Sequence, residues 1–373
     1  MYINKHKIEV IDYIDDTIFH LIENSNTNYL NSKSWILSSW LKIYQQKSDL
    51  IKSIIIGNEA KESKTFSFIH TSETIFGKKF PIWKLIGDRG PLYSPHREQN
   101  VNEFYSILFN YIQNNNFKGI VKLYFWEQDL KHILQYLLNN NLYFFCYEHK
   151  TYPYLNTQQK ELHNKNLSNN PPYNLRRKLK KILELGEVTV TLEPSENYEY
   201  FLEKYIQFNV KKWEGKGKSS KYQDLKNEKY LKTVVFHALE NKALRIHTLK
   251  VNKDIAAIHI GFQIQDIFYY YYPAYNPKFS NFSPGLILLY HMLLELCEED
   301  KIRIFDMGAG VLDYKMRFTN TINNSHVLYF TKSKFQFIIF RLFNELIPKF
   351  WNSLPESKKV QIRKIIKKKF ITL

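Results

Sequence analysis

Cysteine is scarce in this chain: Cys146 and Cys297 are the only two in 373 residues. Two thiols make no disulfide framework and match no metal-ligand spacing, so the reading is a protein of the reducing cytoplasm without a metal. The usual catalytic signatures are missing as well. The sequence contains no Gly-x-x-x-x-Gly-Lys, no His-Glu-x-x-His, no Cys-x-x-Cys and no Gly-x-Ser-x-Gly, and Gly308-Ala309-Gly310 is too short for a dinucleotide fingerprint. No apolar run approaches the roughly 20 residues of a spanning helix, and the opening MYINKHKIEV lacks the apolar core of a signal peptide. Acidic residues are also in short supply. There are 36 Asp and Glu against 53 Lys and Arg, and a net charge of +17 favours a polyanionic or phosphorylated partner, or an anionic membrane surface, without choosing among them.

What is present argues for a folded protein of two domains. Hydrophobic residues make up 44% and aromatics 16%, enough for each of two ordinary domains to bury a core. Residues 1–150 read as a first α/β lobe. It has the helical-looking SWILSSWLKIYQQ, short strands at Ile54–Ile56, Phe66–Ile69 and Ile82–Ile86, and, after the loop GDRGPLYSP, a helix over Val101–Gln113. Strand Ile120–Phe125, helix Leu130–Leu138 and strand Tyr143–Tyr147 complete it. Residues 151–186 hold a polar linker broken by Pro153, Pro171 and Pro172, then a connector helix from Leu175 that stops at Gly186. That helix puts Arg176, Arg177, Lys178, Lys180 and Lys181 mainly off its apolar stripe, either as a solvated face or as a clamp for phosphate or nucleic acid.

Residues 187–333 repeat the α/β plan more clearly. Helices are expected at Tyr198–Trp213 and Lys229–Glu240, followed by a meander of strands at Leu244–Val251, Ile255–Ile264 and Ile267–Tyr272. A helix to about Glu298 then crosses over to a strand at Ile302–Phe305, which should lie parallel to its neighbour, and a strand at Val327–Phe330 would close the sheet. The same order of strand, loop, helix and strand at residues 82–125 suggests a weak internal duplication. The first copy lacks the Ser-Pro-Gly opening of the second and is the degenerate one.

The chemistry concentrates between Tyr269 and Lys315, YYYYPAYNPKFSNFSPGLILLYHMLLELCEEDKIRIFDMGAGVLDYK. Ser283 is placed to cap the helix that follows, Pro284 suits its first position, and Gly285 leaves the backbone bare where N–H groups and the helix dipole would favour an anion. A well-capped core helix is the plainer alternative. In the strand before it, alternation puts Ala257, His259 and Gly261 on one face, so an imidazole sits between two very small side chains, as at a ligand-facing position; a packed, hydrogen-bonded histidine is the other reading. The four tyrosines Tyr269–Tyr272 cannot all be core, because each buried hydroxyl needs a partner, and two, Tyr271 and Tyr272, are assigned to the cleft. Asp306 ends a predicted parallel strand, where α/β sheets present working groups, or else caps the turn after it. Tyr314 and Lys315 are expected on a short helix.

These segments carry a resemblance. NLRRKLKKILELGEV, the Trp213 region, LRIHTLKVNKDIAAIHIGF, the tyrosine strand with PAYNPKFSNFSPG, and FDMGAGVLDYK with Arg317-Phe318 resemble the acetyltransferase-like domain of the CelD/BcsL family, over about residues 173 to 320. That family is a branch of the GNAT N-acyltransferases, whose members often pair two GNAT folds, as FemABX transferases do. The chain departs from the pattern at the phosphate loop, where GNAT proteins usually carry Gln or Arg before Gly-x-Gly or Gly-x-Ala and this chain has only Ser-Pro-Gly. The resemblance implies a mixed-sheet α/β protein with tandem GNAT-like folds. It implies acyl-coenzyme A as co-substrate, lying between two splayed parallel strands with its pyrophosphate on Ser283, Gly285 and Leu286 and charge added by Lys278. The acceptor would be an amine, by family analogy an amino sugar, free or nucleotide-linked, for a surface polysaccharide or glycolipid. His259 or Asp306 would be the base and Tyr314 or Tyr275 the acid, with Trp213, Tyr275 and Lys315 touching the substrate. Two other readings keep the fold: an aminoacyl-tRNA donor, or a non-catalytic binding module. The tail at residues 334–373 is read as a packed helix with a solvated basic end, or as peripheral attachment to anionic lipid near a lipid-linked acceptor.

Overall fold

A computed structural model describes residues 2–3, 6–11, 50–57, 63–75, 78–85, 101–114, 119–157, 173–299, 301–319 and 321–358. SWILSSWLKIYQQ, the loop GDRGPLYSP, most of the expected linker and the tail beyond Lys358 lie outside the described residues. The first half opens with strands β1 (Tyr2–Ile3), β2 (His6–Ile11), β3 (Leu50–Gly57), β4 (Ser63–Ile75) and β5 (Lys78–Leu85). Helix α1 (Val101–Asn114) leads to β6 (Ile120–Trp126), parallel to β5, and α2 (Leu130–Asn139) leads to β7 (Tyr143–Asn156). The second half comprises α3 (Tyr173–Leu183), β8 (Val188–Glu193), α4 (Tyr198–Glu214), α5 (Leu225–Glu240) and the meander β9 (Leu244–Val251), β10 (Asp254–Ile264) and β11 (Ile267–Tyr275). It continues with α6 (Pro284–Glu298), β12 (Ile304–Asp306) and β13 (Ile322–Thr331). Helices α7 (Lys334–Arg341) and α8 (Ile347–Ser353) follow, joined by a π-helical turn over Leu342–Leu346. The expectation of a mixed α/β fold is met, and the helical crossover does set β12 parallel to β11. The sequence reading misses β8.

All the described strands join one sheet in the order β1-β2-β3-β4-β5-β6-β13-β7-β12-β11-β10-β9-β8. The strand expected to close the sheet of the second half lies instead between β6 and β7, where Val327 faces Tyr124 on one side and Tyr147 on the other. Its residues explain why. Leu328 and Phe330 enter one core cluster with Phe109 and Ile133, while Val327 and Tyr329 enter another with Phe340. An unbroken apolar run suits a central strand covered on both faces, whereas an edge would expose half of it. Strand β7 bridges the halves: Tyr143–Pro153 pairs with β13, and Tyr154–Asn156 pairs with β12.

The second half is a sheet between two helical layers. On one face α3 and α6 cover Leu249, Ala257, Phe268, Tyr270 and Phe305. On the other, α4 and α5 cover Ile258, Ile260, Phe262, Tyr269 and Ile304.

Candidate active site

The parallel strands β11 and β12 pair at three positions only, Ile267 with Ile304, Phe268 with Phe305 and Tyr269 with Asp306. Beyond them β12 stops while β11 continues to Tyr275, so its neighbour falls away along its outer end. A bulge bends β11 at the same point. Between the pairs Phe262–Tyr269 and Ile260–Tyr272, two residues of β11 oppose the single Gly261 of β10. Gly261 has no alternative there: a Cβ would come within 2.4 Å of the His259 ring and 2.9 Å of the Tyr269 carbonyl oxygen. Only Tyr271 of the four consecutive tyrosines is exposed, at 37%; Tyr269, Tyr270 and Tyr272 are buried, and Tyr272 packs with Tyr205 and Phe262 under the α4/α5 layer.

The space over β10 that the small residues promised is filled from within the strand. His259 has no exposed surface, its ring stacks on Tyr270 at 4.3 Å, and neither ring nitrogen has a hydrogen-bond partner among the described residues. Burial, and after it the nearby His247, push its pKa well below that of an ordinary histidine, so the ring is neutral. The structure therefore places His259 in the core rather than in a cleft. Tyr314 lies on the same side: burial, then Tyr314, raise the pKa of Tyr270, and Tyr314 packs against the α3/α6 layer.

Asp306 points the other way. Ile304 joins the α4/α5 layer and Phe305 the α3/α6 layer, so alternation returns Asp306 to the face opposite His259. Its carboxylate accepts a hydrogen bond from the Gly308 backbone N–H at 2.7 Å, the turn-capping role weighed for it, and it is 5% exposed. The turn is held from outside as well. Met307 N–H and Gly310 N–H donate to the carbonyls of Pro153 and Thr151 on β7, and Gly308 and Gly310 take positive φ angles of 71° and 97°. Lys315 sits in a run of turns rather than a helix and is buried, its ammonium donating to the carbonyl oxygens of Gly308 and Ala309, each at 2.9 Å. Burial lowers its pKa to about 8, against an opposing pull from Asp306. A fourth group comes from the first half. The Tyr152 hydroxyl on β7 has its pKa raised by burial first, then by Tyr271 and by Asp306, and its ring meets Trp126 edge-on at 4.9 Å.

At the far end of β11 the helix opens differently from expectation. Ser283 adopts a left-handed conformation (φ 52°, ψ 52°), and its side chain caps nothing. Its carbonyl instead accepts from the N–H groups of Leu286 and Ile287. The first turn of α6 carries no acidic residue, and a Cβ on Gly285 would touch only the edge of the Tyr275 ring, at 4.0 Å. The first turn thus offers the N–H of Gly285, with space beside its Cα and no acidic side chain of the helix next to it. The Lys212 ammonium lies 5.1 Å from the centre of the Tyr275 ring, and burial followed by Lys216 lowers its pKa. Lys278, expected here, pairs with Asp254 at 2.7 Å. Lys178 on α3 donates to the carbonyl of Asn281, tying the basic helix to the turn before Ser283. Trp213 is half-buried, with the ammonium of Lys216 5.5 Å from its ring centre.

Two sets of residues therefore flank the divergence: Asp306, Lys315, Tyr271 and Tyr152 near its apex, and Gly285, Leu286, Tyr275 and Lys212 at its outer end. Residues 172–316 match the family of acetyltransferase (GNAT) domains. The match spans α3 to Lys315, with both sets inside it except Tyr152. Solved structures share the fold over most of the chain. FemX does so with a TM-score of 0.55 at 12% identity, over 90% of this chain and 100% of its own. L-PGS from Bacillus licheniformis does so at 0.51 and 13%, over 88% and 97%. A conserved protein of unknown function from Bacteroides thetaiotaomicron VPI-5482 does so at 0.51 and 14%, over 87% and 100%. Identities this low show the fold alone. No curated protein matches the chain. Sequence reasoning missed Tyr152 and Lys212; a tyrosine in a strand of the other half gives no local signal of its destination.

Proposed function

We propose that the GNAT domain of this chain moves an acyl group from acyl-coenzyme A to an amine. The observation that carries this is the parting of β11 and β12 after Tyr269 and Asp306, with an acid-free helix start at Gly285, which has no side-chain cap, at the outer end. From Tyr269 to Tyr275 β11 runs roughly 20 Å, a length suited to an extended arm. The residues fit the group in part: Leu286 and Ile287 already give their N–H groups to the Ser283 carbonyl, which leaves the N–H of Gly285, with the dipole of α6 behind it, to meet phosphate, and Lys212 adds a cation. When bound, the thioester supplies the activated acyl carbon. The chain supplies the rest. Asp306 receives the proton of the attacking amine, directly or through a water, a step worth on the order of 100-fold or more. Lys315 fixes the turn that aims Asp306, and Tyr271 takes over the proton-donor role expected of Tyr314, which packs on the other side. His259 is not part of this site. The narrower CelD/BcsL reading, with an amino sugar on the way to a surface polysaccharide or glycolipid as acceptor, extends the proposal by family analogy.

Calorimetry with acetyl-coenzyme A on the wild type and on Gly285→Glu tests the donor. Because a Cβ fits at Gly285, the substitution adds a charge without breaking the helix. Micromolar binding lost in the variant supports the proposal, while a wild type that binds no coenzyme A sinks it. One observation favours a second donor, aminoacyl-tRNA. Arg176, Arg177, Lys180 and Lys181 are exposed on α3, which Lys178 ties beside the helix opening. That reading requires tRNA binding that weakens steeply with salt.

A further inference from the structure

The last helical segment has two apolar faces. Inward, Phe340 is buried with Phe80 and Tyr329, and Ile339 and Phe343 pack beside it. Outward, Phe335, Ile338, Leu342, Leu346 and Phe350 are 72%, 54%, 41%, 50% and 65% exposed. The backbone keeps right-handed helical angles through both junctions of the π turn, so the five form one row roughly 22 Å long. Three successive spacings of four would carry such a row about 120° around a regular α-helix. The π turn takes back part of that drift. It arises where Pro348 has no N–H to give the carbonyl four residues back, and the Ile347 N–H bonds five residues back to Leu342 instead.

Charge says what the row meets. Lys332, Lys334, Arg341 and Lys349 are exposed around it, and Glu345, the one acid between residues 332 and 355, is bridged by Arg341 and Lys349 on the same helix. The sequence beyond adds Lys358, Lys359, Arg363, Lys364, Lys367, Lys368 and Lys369, interleaved with Val360, Ile362, Ile365 and Ile366. A second copy would set basic edge against basic edge, whereas an anionic surface that also admits apolar side chains satisfies both features. No described helix is long and apolar enough to cross a membrane. We infer that the outer face of residues 334–353 docks flat on an anionic lipid bilayer, with Phe335, Ile338 and Phe350 entering the boundary between headgroups and acyl chains. The inference does not rest on the acyltransferase reading.

The full chain is sedimented with vesicles of phosphatidylglycerol and phosphatidylcholine, and with phosphatidylcholine alone. Binding to the first and not the second is expected, weakened roughly tenfold or more in Phe335→Ser/Ile338→Ser/Phe350→Ser. A second variant, Lys332→Glu/Lys334→Glu/Lys349→Glu, should lose binding likewise, and it carries the test alone if the serine variant melts below the wild type. A wild type that stays in the supernatant overturns the inference. So does a serine variant that melts with the wild type yet binds as tightly, because the tail beyond would then suffice. A dimer that the serine substitutions convert to monomer, with lipid binding unchanged, assigns the row to self-association and overturns it as well.

Discussion

Among the described strands each half of the sheet contains one short parallel pair, and the two begin alike and end differently. In the first half Ile82, Trp83 and Lys84 face Ile120, Val121 and Lys122; in the second Ile267, Phe268 and Tyr269 face Ile304, Phe305 and Asp306. Past the last pair β6 continues to Trp126, buried throughout and joined to β13 along its length, and Lys122 lies over the rings of Tyr124 and Tyr329. Strand β12 instead stops at Asp306, and a glycine turn carries the chain away while β11 bulges and runs on. The second pair is thus left with β11 running on beyond the end of β12, while in the first half β6 runs on with β13 beside it.

The strongest test of that contrast sets the two final pairs against each other. Asp306→Asn should lower kcat/KM roughly 100-fold or more. Lys122→Met, at the matching position of the first half, should leave turnover unchanged when release of coenzyme A thiol is followed with an amine acceptor. Equal losses would erase the distinction. Gly261→Ala comes next, because the bulge needs a residue without Cβ. Forcing that atom against the His259 ring and the Tyr269 carbonyl should cost about 2 to 3 kcal/mol in urea unfolding, and a variant as stable as the wild type would show that the bulge does not depend on the glycine. The smallest effect is the pH response of Lys315. Its ammonium is lost as pH rises through about 8, so activity that needs the held turn should fall on the alkaline side. Lys315→Arg should keep that limb flat, and Lys315→Met should lose roughly tenfold at neutral pH, since two carbonyls lose their shared donor. Stability moves the other way. Between about pH 8 and the ordinary lysine range the unfolded chain holds the proton that the fold does not, so that group's contribution to stability rises with pH. An alkaline limb that persists in Lys315→Arg would assign it elsewhere.

Much of this molecule was legible locally. Strand Leu244–Val251 and helix Pro284–Glu298 have the ends the sequence predicts, because the turn residue Asn252 tolerates a left-handed angle and Pro284 starts a helix well. Strand alternation also sorted Ile258, Ile260 and Phe262 from Ala257 correctly. At His259 the same alternation left two readings open. Small neighbours on one face leave room, but periodicity cannot say whether solvent, ligand or the histidine ring itself fills it. Ser283 misled: its identity suggested a side-chain cap, while the turn before it imposed a left-handed backbone and left the hydroxyl out of the cap.

Composition and periodicity by themselves determined the class of fold, the element order around the second parallel pair, and Asp306 and Gly285 as candidates, since these depend on neighbours within a few residues. Only the tertiary structure decided that β13 enters the first half's sheet, that β7 brings Tyr152 to Asp306, that His259 and Asp306 point to opposite faces, and that the last helix turns a second apolar row outward. Those outcomes depend on which surfaces meet across long separations in the chain, and the burial that selects among them is a property of the assembled sheet rather than of any segment.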